Sequence, residues 1–426
     1  MEQPDGFLHT SLTVQGGVPL KGTVSASGSK NSALPIMAAT ILLDGETELT
    51  NVPYLSDTIM MSRMLNALGI RAEFHSNKRF KIRNSGRIKP IAPYELVTAM
   101  RASFFVAGPI LARIGMAKIP LPGGCAIGAR PINLHLKGFE AMGAEIRLEH
   151  GFVFLKANEL HGAKINLDFP SVGATENIMM AASLAKGTTI IENAAREPEI
   201  TDLGQFLVKA GAKISGFGTQ TIVIEGVERL NGTHYDVISD RVEVGTLLIA
   251  GIVTKGDVTV KNACVDDSEP LIQKLKESGV DISTGPDWIR VKPNGELKST
   301  DIVTLPFPGF PTDMQAQMMT LLSLAKGTSM IQESIFENRF NHAHELKRMG
   351  ANIKLDHNKA VIIGVNSLSG ADVKITDLRA GAALILAGLA AEGHTNVFGL
   401  NFLKRGYENL PGKLRELGAQ IEEQST

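Results

Sequence analysis

Apolar and polar positions along this chain recur in units of about 70 residues. One marker is a glycine after an apolar or small residue: Leu68-Gly69, Met142-Gly143, Ala210-Gly211, Ser278-Gly279, Met349-Gly350 and Leu417-Gly418. These glycines lie 74, 68, 68, 71 and 68 residues apart. A second glycine, followed by an alternating apolar strand, precedes each of them: Gly45, Gly115, Gly187, Gly256, Gly327 and Gly393. Self-similarity at a fixed spacing over the whole chain is a whole-fold signal.

Each unit reads the same way. A helix rich in small residues comes first, as in Gly173 to Ala182, and a glycine stops it. A strand follows, as in Thr188 to Glu192. A second helix, apolar at helical spacing (Leu203, Phe206, Leu207), runs to the next glycine stop. One or two strands close the unit. The first helix is nearly apolar all round, as in Leu384 to Ala390, which predicts burial on every side. The expected class is α/β, with helices inside and sheets outside. Six units can divide into two domains of three, with a crossover in Asn231 to Asp240. The expected domains are 22–235, and 1–21 plus 236–426. The first strand, Phe7 to Val14, precedes the first unit and is expected to pair in the C-terminal domain.

Composition narrows the function classes. The 426 residues provide ample core, and 43 Lys plus Arg nearly balance 44 Asp plus Glu. No basic coat points to nucleic acid, and nothing points to a membrane surface. The two cysteines form no CxxC or CxxxH pair, so neither a disulfide framework nor a zinc site is expected. The N-terminus has no basic region followed by an apolar run, so no signal peptide is expected. The apolar stretch around Gly381 to Ala391 is far short of a bilayer span. A cytoplasmic protein is the expectation.

Charged residues fall in one phase of the repeat. Lys30, Arg101, Arg241, Asp313 and Arg379 each stand 14 or 15 residues before a repeat glycine, at the start of an apolar helix, where the third unit has Gly173. Asp57, Arg339 and Arg405 stand 12 residues after one, near the expected start of the second helix. Cations at a helix N-terminus oppose its dipole, and a buried unpaired cation is costly. Either they pair with Asp57, Asp313 and Asp377, or an anionic ligand meets them. A cleft between the two halves that closes on a polyanionic substrate follows as an expectation.

The loop Leu121 to Pro131 holds three glycines and two prolines around Cys125, five residues before Arg130. It is neither helix nor central strand. A nearby cation favours thiolate, so Cys125 is either a reactive sulfur on a moving loop or a cysteine in a turn. The run Ser25 to Asn31 lacks the GxxxxGK[ST] spacing of a nucleotide hydrolase, but a Gly-rich turn with a lysine starting a helix can hold phosphate. His135 is either a ligand contact or a satisfied surface histidine. Cys264 is expected at a strand end and Trp288 in packing.

These segments together resemble one family. They are S-K-N-S-A-L-P at 29–35, R-A-S at 101–103, P-G-G-C-A-I-G-A-R-P at 122–131 and P-S-V-G-A-T-E-N at 170–177, with E-N-A-A-R-E-P-E-I at 192–200. F-P-T-D-M-Q-A-Q at 310–317, F-E-N-R-F at 336–340, T-D-L-R-A at 376–380 and R-G-Y-E at 405–408 complete the series. The chain resembles the enolpyruvyl transferases, specifically those that act on UDP-N-acetylglucosamine, from about Leu20 to Gly418. The resemblance implies two inside-out α/β domains of three units each and no metal or organic cofactor. It implies transfer of the enolpyruvyl unit of phosphoenolpyruvate to the sugar 3-hydroxyl with loss of phosphate, the first committed step of bacterial peptidoglycan synthesis.

The resemblance also implies roles. Cys125 matches a reactive cysteine, assigned as acid or in product release and open to alkylation by fosfomycin. Asp313 matches the candidate base, and Lys30, Arg130 and Arg405 match phosphate-binding cations. Asp377, Arg101, Arg339 and Arg379 match other active-site positions. Asn31, Pro131, Leu134, His135, Ser171, Val172, Gly173 and Ile335 match the surface for the UDP-sugar. Tyr54, Ser56, Phe169-Pro170 and Lys404 depart from residues that some members carry, which touches peripheral contacts. Two rival readings are a 3-phosphoshikimate-type enolpyruvyl transferase and a catalytically silent scaffold that binds UDP-sugars.

Overall fold

The computed structural model describes residues 10–76, 78–123, 127–128 and 131–425. Cys125 and Arg130 lie outside the described residues. The chain forms two compact units. The N-terminal unit holds residues 28–123 and 131–238; the C-terminal unit holds residues 10–27 and 239–425, with residues 127 and 128.

Each unit is built three times over from one pattern. A short strand leads into an inner helix, a longer strand returns beside it in parallel, and a second helix and closing strands follow. In the third repeat, strand Lys164–Asn166 pairs in parallel with Thr188–Glu192, with helix Val172–Ala182 between them in sequence. Thr188–Glu192 then pairs antiparallel with Thr221–Glu225, which Lys213–Ser215 flanks. The described residues contain six sheets of three to five strands, and in the three-stranded one the lead strand is reduced to a parallel bridge between Ile91 and Lys118. The inner helices are enclosed: in Arg241–Val253 every residue after Arg241 is buried, as is Leu378–Ala390 apart from its two end residues. The first-marker glycines, Gly69 to Gly418, all have φ between +82° and +111°, a region costly for any side chain. That constraint is why the marker is legible in sequence.

The short strands revise the expected boundaries. Lys21–Ser25 pairs in parallel with Asp257–Lys261, so it belongs to the C-terminal unit although its helix, Lys30–Ala39, lies in the other. Conversely, His234–Asp236 pairs with Leu43–Thr50 in the N-terminal unit, while its helix, Arg241–Val253, lies in the C-terminal one. The two units thus exchange the lead strands of two repeats. The chain passes between units after Ser27 and after Ile238, rather than after residues 21 and 235. Strand Thr10–Gln15 inserts between His394–Phe398 and Ile421–Ser425. It takes the place in that sheet which Thr221–Glu225 holds in the sheet of the third repeat.

Candidate active site

In the N-terminal unit Lys30 is the first residue of its helix, whose N-cap Ser29 accepts from the Ser32 N–H at 3.3 Å. No acidic residue lies in that first turn. Lys30 Nζ instead reaches Asp57 Oδ2 at 3.4 Å, in the first turn of helix Ser56–Ala67, with both side chains largely buried. Asn31 beside it is half-buried.

Helix Lys30–Ala39 packs against the turn Arg101–Val106, which carries Arg101 at its start. His135 is buried on helix Asn133–Ala141, which removes the surface reading. Its Nδ1 accepts from Asn177 Nδ2 at 3.1 Å, and its ring stands edge-on to Phe104. The Asn177 amide is oriented by its bonds to Phe104 O and from Gly108 N–H, so the His135 proton is assigned to Nε2. Burial, helped by Arg101, lowers the His135 pKa to about 3 and keeps the ring neutral. A side chain at Gly173 would come within 3.4 Å of that Nε2, so the glycine leaves room beside it. Ser171 caps the same helix through Ala174 N–H, and Val172 begins it. Leu134 is half-buried and Pro131 exposed. Arg101, His135, Ser171, Val172 and Gly173 are therefore neighbours around one helix start.

In the C-terminal unit Asp313 lies in the 3-10 turn Thr312–Met314 ahead of helix Gln315–Ser323. Arg339 donates to its Oδ1 at 2.7 Å, and Arg379 donates to its Oδ2 at 2.8 Å. Burial opposes the Asp313 charge, but Arg379 and Arg339 outweigh it and hold the carboxyl well below the usual range. Arg379 is 2% exposed, and among the described residues its Nε and NH1 meet no hydrogen-bond partner. Two unspent donors on a buried guanidinium are costly unless an acceptor arrives. The pairing named from sequence is thus present, and it leaves donor capacity unused.

Asp377 caps helix Leu378–Ala390, its Oδ1 accepting from Arg379 and Ala380 N–H at 2.9 and 3.1 Å. Arg339 and Arg405 do not begin helices as expected. Arg339 precedes helix His342–Arg348 by three residues, and Arg405 lies in the turn between Leu400–Leu403 and Leu410–Glu416. Ile127, in the glycine-rich segment, accepts the Asn338 N–H at 3.2 Å, one residue from Arg339.

Three participants went unread in sequence. Glu333 is buried and accepts from Thr304, Thr312, Ile335 and Phe336, which ties Ile335 to the turn holding Asp313. The Tyr407 ring lies 5.4 Å from the Arg379 guanidinium, and its hydroxyl meets Gln317 and Thr246. His342 is buried near Asp377 and Arg339, and burial takes its pKa down to about 4. Tyr407, inside R-G-Y-E, carried the one usable signal. Cys264 is exposed and stands immediately before helix Val265–Glu277 without a side-chain capping bond, not at a strand end. Among the described residues no cluster of three or more His, Cys, Asp or Glu could hold a metal ion. None of their helices is long and apolar enough to cross a membrane.

The EPSP synthase (3-phosphoshikimate 1-carboxyvinyltransferase) family model matches residues 14–414. Among solved structures, the enolpyruvyl transferase NikO from Streptomyces tendae superimposes with a TM-score of 0.89 at 26% identity. The match covers 99% of this chain and 100% of that one. EPSP synthase from Acinetobacter baumannii gives 0.78 at 19% identity over 97% of this chain and 100% of that one, a likeness of fold. The class is therefore the enolpyruvyl transferase fold. UDP-N-acetylglucosamine 1-carboxyvinyltransferase 1 of Caldanaerobacter subterraneus is 55% identical over 97% of this chain and 99% of that protein. The counterpart numbered 1 in Staphylococcus epidermidis is 52% identical over 96% and 98%. The chain belongs to the UDP-N-acetylglucosamine 1-carboxyvinyltransferase family.

Proposed function

We propose that this protein transfers the enolpyruvyl group of phosphoenolpyruvate to the 3-hydroxyl of UDP-N-acetylglucosamine, releasing phosphate, in the cytoplasm as peptidoglycan synthesis begins. The observation that carries the reading is the Asp313 carboxylate between two buried guanidiniums, one with two donors unspent. A carboxylate for a hydroxyl proton, beside donors waiting for an anion, suits an alcohol adding to an anionic alkene. The relatives' names, at 52–55% identity, favour a UDP-sugar acceptor over shikimate 3-phosphate.

The chemistry assigns work to each cluster. The acceptor oxygen bonds to C2 of phosphoenolpyruvate while the CH2 carbon gains a proton, giving a tetrahedral phosphate ketal. Loss of phosphate and of a methyl proton then restores the alkene. Asp313 takes the hydroxyl proton as the new C–O bond forms. Its low basicity at rest is no obstacle, because the hydroxyl becomes strongly acidic only as it attacks. The Nε and NH1 of Arg379 donate to the substrate's anionic oxygens, with Arg339 keeping Asp313 in place. Lys30, Arg130 and Arg405 receive the phosphate. Arg101, His135, Leu134, Pro131, Ser171, Val172, Gly173, Asn31 and Ile335 contact the nucleotide sugar, with the His135 Nε2–H as a neutral donor. Cys125 supplies the acid or assists product release, and Asp377 orients Arg379.

The test is phosphate release from phosphoenolpyruvate with UDP-N-acetylglucosamine, with shikimate 3-phosphate, or with neither. Release only with the nucleotide sugar, and a product heavier by one enolpyruvyl group, is the expected result. Release only with shikimate 3-phosphate would move the chain to the rival transferase. No release from folded protein that binds the nucleotide sugar would leave a silent scaffold.

A further inference from the structure

Asp202 lies on helix Pro198–Lys209 in the third repeat and is 1% exposed. Donors from two other parts of the N-terminal unit converge on its carboxylate. Ser32, in the first turn of helix Lys30–Ala39, donates its hydroxyl to Oδ2. The Tyr235 hydroxyl donates to Oδ1 at 2.6 Å, and the Ile238 N–H approaches Oδ2 at 3.4 Å. The Tyr235 ring is itself set by an edge-on contact with Phe206.

The bonds continue into a closed circuit. Ser29 N–H donates to the Ile238 carbonyl at 2.7 Å. Ser29 Oγ accepts the Ser32 N–H at 3.3 Å, which returns the circuit to the residue bonded to Asp202. Lys30 and Asn31 are the two residues enclosed between those serines. A lysine at a helix N-terminus is repelled by the dipole, so the turn must be restrained from outside. Asp57 restrains the ammonium end of Lys30, and the circuit restrains its backbone. Burying a carboxylate for a purely structural link is costly unless donors surround it, as they do here. Burial nevertheless pushes the Asp202 carboxyl up to about 6, against Ser32, Tyr235 and Ile238, with Glu199 on its own helix adding to the rise.

We infer that Asp202 is a positioning residue, which holds the Ser29-to-Ser32 turn so that Lys30 meets the phosphate of phosphoenolpyruvate. The phosphate role of Lys30 rests on the function proposed above; the hold on the turn does not. The test uses the full chain with Asp202→Ala, Asp202→Asn and Ser32→Ala. Amide hydrogen exchange over residues 29–33 is read without substrate, followed by steady-state kinetics. Asp202→Ala is expected to exchange about tenfold faster there and to raise KM for phosphoenolpyruvate about tenfold, with KM for the nucleotide sugar within about twofold. Asp202→Asn keeps one acceptor and can donate to Ser32, so both changes shrink to about threefold or less.

If Asp202→Ala does not fold, Ser32→Ala carries the test, because it cuts only the link from the turn to the carboxylate. It is expected to speed exchange and to raise KM for phosphoenolpyruvate about threefold, with Tm within about 2 °C of wild type. Unchanged exchange in every folded variant overturns the inference. So does an equal rise in both KM values that follows Tm. If the wild type transfers no enolpyruvyl group, the proposed function fails and exchange alone decides whether Asp202 holds the turn.

Discussion

Glu176 sits in the inner helix Val172–Ala182, fully buried, and among the described residues neither carboxyl oxygen meets a hydrogen-bond partner. Burial raises its pKa well above the ordinary value of 4.5, and Glu199 and Glu197 add to the rise. The folded state therefore keeps a proton that the unfolded state loses, and stability falls as pH rises above about 4.5. Glu176→Gln should match wild type near pH 4 and melt several degrees higher at pH 8; equal melting at pH 8 would show the carboxyl is not held protonated. At Asp313 the prediction concerns rate. Asp313→Asn keeps the shape between Arg339 and Arg379 but removes the base, so kcat should fall by at least about 100-fold while calorimetry still detects nucleotide-sugar binding. Near-normal turnover would remove Asp313 as the base. Cys125→Asp should retain turnover and lose inactivation by fosfomycin; persisting inactivation would place the alkylated group elsewhere. Asp313 could be picked out in sequence because it stood in the repeat phase where other units carry cations. Glu176 could not, since a glutamate in a helix looks the same whether it faces water or a core.

At the scale of elements, the starts of the inner helices carry most of the candidate chemistry, and capping explains part of why they sit still. Asp377 accepts two N–H groups, one of them from Arg379 itself, so the cap also sets where the Arg379 guanidinium begins. Asp377→Ala should cost about 1 kcal/mol of stability, seen as a lower Tm, whereas Asp377→Asn keeps an acceptor and should hold Tm near wild type. A fall in kcat in Asp377→Asn at unchanged Tm would assign it a further role at the reacting atoms. The sequence marked these helix starts because their apolar period and glycine stops are local. It placed Arg339 and Arg405 at helix starts too, and there it misled. Their distance from the preceding glycine is the same as that of Asp57, but the turns Phe336 to Asn341 and Lys404 to Asn409 lengthen the path before the second helix.

At the scale of the whole chain, the strand Thr10–Gln15 completes a sheet whose other members come from residues 372–425. Removing residues 1–15 leaves Ile421–Ser425 without its strand partner and opens the edge of His394–Phe398. That variant should melt well below wild type and aggregate; unchanged melting would show that the strand adds nothing to the last repeat. By itself the sequence determined the six units, the buried inner helices, the glycine stops and the charged phase at the helix starts. All are local properties, set by hydrophobic period and by backbone angles that few residues adopt. Only the tertiary structure decided that Lys21–Ser25 and His234–Asp236 are exchanged between units, because one parallel strand pattern fits either sheet. It likewise decided that Asp313 serves both Arg339 and Arg379, 26 and 66 residues away, and that Asp202 reaches back 170 residues to Ser32. Pairings of that kind depend on how packed helices bring distant side chains together, and no local pattern records them.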